Sequence, residues 1–292
     1  MKKFIKSCIP PILLNNINRI RQKINKYIYN FPPSYSAKIT YKYSDFNETY
    51  DNLWDSPNWV LHDGDKLNNE NTLKPHIHQQ SVIKSCRILN KVNGYKKFHI
   101  IDFGGGCGTL AAQLFKSFLN EEFKLEVSVI DSPTMIKLGA DFFSDSTNIK
   151  FFEQENADIK SISDSFKSKN VATILNISSV LQYIPNYKKF LTNLLEQTQP
   201  LVVTITRFLR CENVNIDAFA VENVTTPIGF CGSTIVNLFG KDSLTDCMQN
   251  LGYNTLFEDF NEINDTAYFD KCDDEQYRNM TMVAYTFVKN IS

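Results

Sequence analysis

The strongest constraint on this chain lies between Phe98 and Leu110. Residues 98–101 form a short, largely apolar run, Asp102 closes it, and glycines follow at 104, 105, 106 and 108. Leu110, Ala111, Leu114, Phe115 and Phe118 then recur at helical spacing. The pattern predicts a strand, a tight turn and a helix, the unit that opens an α/β sheet. Glycine suits the turn for two reasons. It permits the positive φ of a sharp reversal, and without a Cβ it lets backbone N–H groups approach a bound molecule.

Spacing within the turn narrows the choice of ligand. The dinucleotide fingerprint is Gly-x-Gly-x-x-Gly, with Ala allowed last. Counted from Gly104, the third position falls on Thr109; counted from Gly106, the looser form ends on Ala111 but begins late after the strand. What stands out is Asp102-x-Gly104-x-Gly106-x-Gly108. A second strand, Leu125 to Ile130, ends at Asp131-Ser132-Pro133, with Asp131 29 residues past Asp102. An acid at that place accepts hydrogen bonds from ribose, because a cis-diol offers two donors to the two oxygens of a carboxylate. Together these features point to an adenosine-bearing cofactor.

These residues resemble the first motif of class I S-adenosylmethionine (SAM) dependent methyltransferases. The resemblance implies SAM as cofactor and S-adenosylhomocysteine as its product. It implies that Gly104, Gly105, Gly106 and Gly108 face the amino-acid half of SAM and that Asp102 helps hold its ammonium group. Asp131 and Ser132 would take the ribose, Glu155 and Asn156 the adenine, and Ser178 would complete the cofactor site. The implied fold is α/β: a Rossmann-like class I methyltransferase sheet, mostly parallel, with a terminal antiparallel hairpin and an N-terminal helical or irregular cap. The hairpin falls at residues 254–260 and 280–288, with an acidic loop between.

A narrower resemblance adds an acceptor. Asp-Phe-Gly-Gly-Gly-x-Gly at 102–108, Ser-Ser-Val-Leu-Gln-Tyr at 178–183 and a strand ending at Arg207 are similar to a family of methyltransferases from bacterial surface-polysaccharide gene clusters. The resemblance covers roughly residues 40–290 and implies O-methylation of a sugar or glycan precursor. The chain departs from that family at Phe208-Leu209, where the family has Thr-Pro, and at Ser233-Thr234-Ile235, where it has Ser-Tyr-Pro. Asp131-Ser132 also replaces a Glu and a polar residue. The acceptor-side loops differ most, so the resemblance speaks more to cofactor than to acceptor.

Further strands are predicted at 149–152, 171–175 and 201–206. Ligands of open α/β sheets sit beyond the carboxyl ends of the strands, which makes Ser179, Gln182, Tyr183 and Arg207 substrate-side candidates. A hydroxyl acceptor benefits from a general base, and the candidates are His62, His76, His78 and Tyr183. His76 and His78 are two residues apart, a spacing that sends their rings to different helix faces. No acid or cysteine pattern accompanies them, so no metal site is expected. Residues 208–240 read as a long connection, a lid or substrate loop. Two rival readings stand beside the methyltransferase. One is an NAD(P)-dependent sugar oxidoreductase or epimerase, opposed by Thr109 and by the lack of a Tyr-x-x-x-Lys helix after the fourth strand. The other is a non-catalytic SAM-binding protein on the same scaffold.

Three segments precede or frame this core. Residues 1–30 carry seven Lys or Arg and no acid. Within them, 12–29 reads as an amphipathic helix with Leu13, Ile17, Ile20 and Ile24 on one face. It either docks on the protein or a partner subunit, or makes peripheral contact with an anionic membrane. Residues 31–94 read as an aromatic-rich cap, including Trp54 and Trp59, with Asp63-Gly64-Asp65 as a turn and a helix from Pro75 to about Val92. Residues 95–292 form the SAM-binding domain. The net charge of −1 argues against a nucleic-acid partner. No stretch reaches the ~20 apolar residues of a membrane span, and Lys6 and Pro10-Pro11 interrupt any signal-peptide pattern. Seven cysteines without a Cys-x-x-Cys pair fit a reduced protein in the cytoplasm or at the inner face of the membrane.

Overall fold

The computed structural model describes residues 34–35, 39–42, 54, 56–67, 77–167, 170–226, 229–260, 274–277 and 280–290. The helix expected at 12–29 and His76 lie outside them, as does the side chain of His78.

A seven-stranded sheet forms the centre. Its strands are β2 (Lys97–Phe103), β3 (Lys124–Asp131), β4 (Ile149–Glu153), β5 (Val171–Ser178), β6 (Val202–Cys211), β9 (Tyr253–Phe260) and β10 (Met280–Lys289). The spatial order is β4-β3-β2-β5-β6-β10-β9. The first five strands run parallel. β10 inserts antiparallel between β6 and β9, closing the sheet with the expected hairpin. This is the mostly parallel, Rossmann-like sheet with a terminal antiparallel hairpin that the sequence leads one to expect.

Both faces of the sheet are covered, which explains the near-continuous apolar strands. Alternate residues of β2 feed separate cores. Phe98 and Ile100 pack with α2 (Ile77–Asn93), α3 (Thr109–Ser117) and α4 (Pro133–Phe142) through Val82, Cys86, Leu114 and Ile136. Ile101 and Phe103 pack on the other side with α6 (Tyr187–Thr198) and α7 (Ser243–Asn250) through Leu191, Leu194, Leu244 and Met248. A short helix, α5 (Ile159–Asp164), joins that face through Ile162.

Two segments depart from the sequence reading. Asp63-Gly64-Asp65 is not a turn; it lies within α1 (Pro57–Leu67). Residues 208–240 are not an irregular loop. β6 continues to Cys211 beyond a bulge at Arg207, where φ is 58° and the pairing with β10 slips by one residue. The chain then forms an antiparallel pair, β7 (Ala218–Thr226) and β8 (Gly229–Leu238), to which β1 (Ser34–Tyr35) adds a third strand. A third core of Leu209, Cys211, Ala218, Ala220, Val236 and Leu238 sits beneath this pair. Strand order reverses between β2 and β5, and the crevice at such a switch point is where ligands bind in open α/β sheets.

Candidate active site

The glycine turn leaves β2 at that switch point. Gly104, Gly106 and Gly108 all have positive φ, at 69°, 57° and 89°. Space also excludes larger residues: a Cβ on Gly104 would stand 2.0 Å from Val180 Cγ2, and one on Gly105 2.5 Å from Asp102 Oδ2. The turn is pinned from the next strand. Asp131 Oδ2 accepts the Gly106 N–H at 2.7 Å, and Oδ1 accepts the Ser132 N–H at 2.6 Å.

Asp102 is next to last in β2 and is 2% exposed. Its Oδ1 accepts the Asn176 side-chain amide at 2.7 Å, and Asn176 in turn accepts the Thr204 hydroxyl at 2.7 Å, a relay across three strands. Burial pushes the Asp102 carboxyl up to about 7, against the lowering effect of Asn176. Its Oδ2 has no hydrogen-bond partner, and neither do Ser132 Oγ, Ser179 Oγ and Gln182 Oε1. Buried polar atoms are normally paired. Four buried oxygens without a partner lie at or just past the carboxyl ends of β2, β3 and β5, and such orphaned groups, beside a glycine turn with no room for a Cβ, fit a polar ligand such as an adenosine linked to an amino acid.

Beyond β5 the chain turns sharply. Ser178 accepts the Thr206 hydroxyl at 2.9 Å, and Ser179 takes φ of 57° while its N–H reaches Thr206 O. A 3-10 turn at Leu181–Tyr183 follows. Asn237 of β8 braces it by donating its amide to the carbonyls of Gln182 and Ile184, at 3.0 and 2.8 Å. Arg207 is exposed at its bulge and acts electrostatically on Tyr183.

Tyr183 joins an aromatic wall. Its ring meets Trp54 edge-on at 4.6 Å, Trp54 meets Trp59 at 4.8 Å, and Trp59 lies 6.0 Å from His62. Burial, together with the Glu222 carboxylate that accepts its hydrogen bond, holds the Tyr183 phenol well above the usual tyrosine range. Glu222 comes from β7 and is only 6% exposed. His62 is half-buried, and burial, reinforced by Lys66, lowers its pKa and favours the neutral ring. Glu155 and Asn156 are exposed past β4, and the Asn156 amide donates to Glu153 at 2.9 Å. A recess of about 330 Å³ beside them is lined by Ile136, Phe151, Phe152, Glu153, Asn156 and Ala157.

The fold thus gathers Asp102, the glycines, Asp131, Ser132, Ser178, Ser179, Gln182, Tyr183 and His62 on one edge. Two acids missing from the sequence reading join them. Glu222 lay in the stretch taken for a loop, and the β-branched run around it was the available signal. Asp63 lay in the stretch taken for a turn, and Ser56-Pro57 was the sign of a helix start there. Among the described residues no cluster of three or more His, Cys, Asp or Glu is placed to hold a metal. Among the same residues no helix is long and apolar enough to cross a membrane.

No protein-family model and no curated protein sequence matches the chain. Solved structures similar to it include an S-adenosylmethionine-dependent methyltransferase from Clostridium acetobutylicum, with 13% identity and a TM-score of 0.44 over 73% of this chain and 91% of that one. Another, from Methanosarcina mazei, has 11% identity and a TM-score of 0.45 over 69% and 98%. A third is 1,6-didemethyltoxoflavin-N1-methyltransferase from Burkholderia thailandensis with its substrate and S-adenosylhomocysteine bound, at 12% identity and a TM-score of 0.41 over 80% and 88%. Against LepI in complex with SAM, the match covers 70% of this chain but only 46% of that one, at 11% identity and a TM-score of 0.40.

Proposed function

We propose that this chain is a SAM-dependent methyltransferase acting on a hydroxyl of a sugar or glycan precursor. One juxtaposition carries the reading: α1, which bears Trp59 and His62, sets Asp63 against the glycine turn pinned by Asp131, and Trp54 joins Trp59 to Tyr183. Aromatic faces stack on the apolar faces of a pyranose, and Glu222 and Arg207 offer charged partners for polar groups around it. The glycan itself rests on the sequence resemblance.

When bound, SAM would supply an electrophilic methyl group for in-line transfer to an acceptor oxygen, with S-adenosylhomocysteine as the leaving group. The residues of the chain do the rest. Asp131, while holding the turn through its N–H bonds, would accept hydrogen bonds from the ribose hydroxyls. The aromatic wall excludes water and fixes the acceptor, and orientation of that kind is worth ~7–11 kcal/mol in favourable cases. His62, favoured in its neutral form, takes the acceptor proton at an imidazole nitrogen. Tyr183 donates to Glu222 and so presents its oxygen as an acceptor that orients the substrate hydroxyl. The same reading puts the enzyme in the cytoplasm, where the basic stretch 1–30 would dock on the protein or a partner subunit, or meet anionic lipid at the inner face of the membrane.

Calorimetry with SAM, S-adenosylhomocysteine and NAD(P)H tests the cofactor. Micromolar S-adenosylhomocysteine binding that is lost in Asp131→Ala and Gly106→Val is the expected result. It leads to an acceptor screen with nucleotide sugars and lipid-linked glycans, read by transfer of a labelled methyl group. Binding of a nicotinamide cofactor with neither SAM ligand overturns the reading.

A further inference from the structure

Helix α1 buries the wrong kind of residue for a structural helix. Leu61 is 58% exposed while Asp63 is 8% exposed. An inward acid with an outward leucine is a local conflict of the sort that accompanies function. The acid is aimed at the glycine turn. Asp63 Oδ2 accepts from the Cys107 N–H at 3.3 Å and from the Cys107 thiol at 3.2 Å. It also lies 2.5 Å from where a Cβ on Gly106 would stand. Burial pushes the Cys107 thiol up, so it remains an S–H donor. Lys66, one helical turn on, closes on Asp63 Oδ1 at 2.7 Å.

Besides Asp131, two buried acids back the turn, and their surroundings differ. Burial favours the neutral form of Asp63 as well, but Lys66 and the Cys107 hydrogen bonds outweigh it and hold the carboxyl below its ordinary range. Among the described residues no cation pairs with Asp102; one of its oxygens holds Asn176, and the other backs onto Gly105 without a partner. Asp131 spends both oxygens on backbone N–H groups, so Asp63 is the carboxylate at the turn that already holds an ammonium group, that of Lys66. The unpaired Asp102 Oδ2, Ser132 Oγ and Ser179 Oγ mark the same edge as one with unmet capacity for a ligand.

We propose that Asp63 receives the α-ammonium group of the cofactor's amino-acid half, displacing Lys66. The assignment rests on the cofactor reading above and deepens it. The exchange replaces one ammonium by another, so the carboxylate is at no stage left buried and unpaired. Lys66 is suited to yield. Its side chain is 32% exposed, its stem is flexible, and it already lies 5.5 Å over the ring of Trp59.

The test compares two probes on purified full-length protein. S-adenosylhomocysteine carries the amino-acid half; 5′-methylthioadenosine keeps the adenosine and the sulfur without it. Asp63→Asn retains an oxygen toward Cys107 and removes the charge. It is expected to weaken S-adenosylhomocysteine binding about 10- to 100-fold, the loss of one charge-assisted hydrogen bond, and to leave 5′-methylthioadenosine binding unchanged. The unchanged second ligand also reports that the variant is folded. Lys66→Met, which removes the displaced cation, is expected to keep or tighten S-adenosylhomocysteine binding. Unchanged S-adenosylhomocysteine binding in Asp63→Asn, equal weakening of both probes, or loss in Lys66→Met overturns the assignment while leaving the cofactor reading intact. Failure of both probes to bind the wild-type protein overturns the cofactor reading and the assignment with it.

Discussion

His99 and Asp102 stand three residues apart in β2 and carry opposite proton linkages. His99 is fully buried, with Nε2 on Ser128 Oγ at 2.9 Å and its ring against Phe166. Burial, aided by Lys150, pushes its pKa from 6.5 down to about 3. Between those values the unfolded chain holds the extra proton, so the His99 contribution to stability rises with pH. Asp102 is pushed from 3.8 up to about 7. Between those values the folded chain holds the extra proton, so its contribution falls as pH rises. The windows overlap from about pH 4 to 6.5, where each slope is about 1.4 kcal/mol per pH unit and the two oppose. His99→Gln is expected to unmask the Asp102 slope, with stability falling as pH rises. Asp102→Asn is expected to unmask the reverse. Urea midpoints at three pH values across the window decide it, and slopes of the same sign in both variants would refute the argument. The residues legible in the sequence were those fixed by local spacing. Glycines at 104, 106 and 108 and an acid after the next strand belong to one strand-turn-helix unit each. Asp63 meets Cys107 only through folding, and no local pattern announces it.

At the scale of elements, β8 holds the acceptor-side turn in place. Asn237 is 2% exposed and spends its amide on the carbonyls of Gln182 and Ile184. Asn237→Ala leaves both carbonyls without that donor and is expected to cost about 1–3 kcal/mol. The damage is expected to be local. Amide exchange should quicken at Tyr183 and Ile184, whose N–H groups close the turn on Val180 O and Leu181 O, while β2 and β5 stay protected. Unchanged exchange at those two amides would show that the brace is redundant. The same strand illustrates why a hairpin was read as a loop. Residues 208–240 contain Gly229, Gly232 and Gly240, and polar Glu222 and Asn237 occupy inward positions where a simple alternation expects apolar ones. α1 was lost for a similar reason. Asp-Gly-Asp is turn chemistry, but Gly64 serves packing, since a Cβ there would stand 3.0 Å from Leu138 Cδ2. Ser56 meanwhile accepts the Trp59 N–H at 3.3 Å as a helix cap, with Pro57 at the first position.

Across the whole molecule, the candidate site draws on β2, β3 and β5 from the sheet and on α1 and β7 from outside it. The sheet part was readable because periodicity and turn chemistry define each strand, whereas the order β4-β3-β2-β5-β6-β10-β9, with β10 set between β6 and β9, is fixed only by long-range pairing. The outer part depends on contacts far apart in sequence, Asp63 with Cys107 and Tyr183 with Glu222. A ligand that bridges the two parts must stabilise them together. S-adenosylhomocysteine at about 100 times its dissociation constant is expected to add about 2.7 kcal/mol of stability. Hydrogen exchange should then slow at residues 104–108, at Asp131 and Ser132, and along α1, with little change in β9, the far edge strand of the sheet. Protection confined to the glycine turn, with α1 exchanging as before, would mean that the helix merely covers the sheet. Protection in α1 that vanishes in Asp63→Asn would tie the helix to the ligand through that one carboxylate.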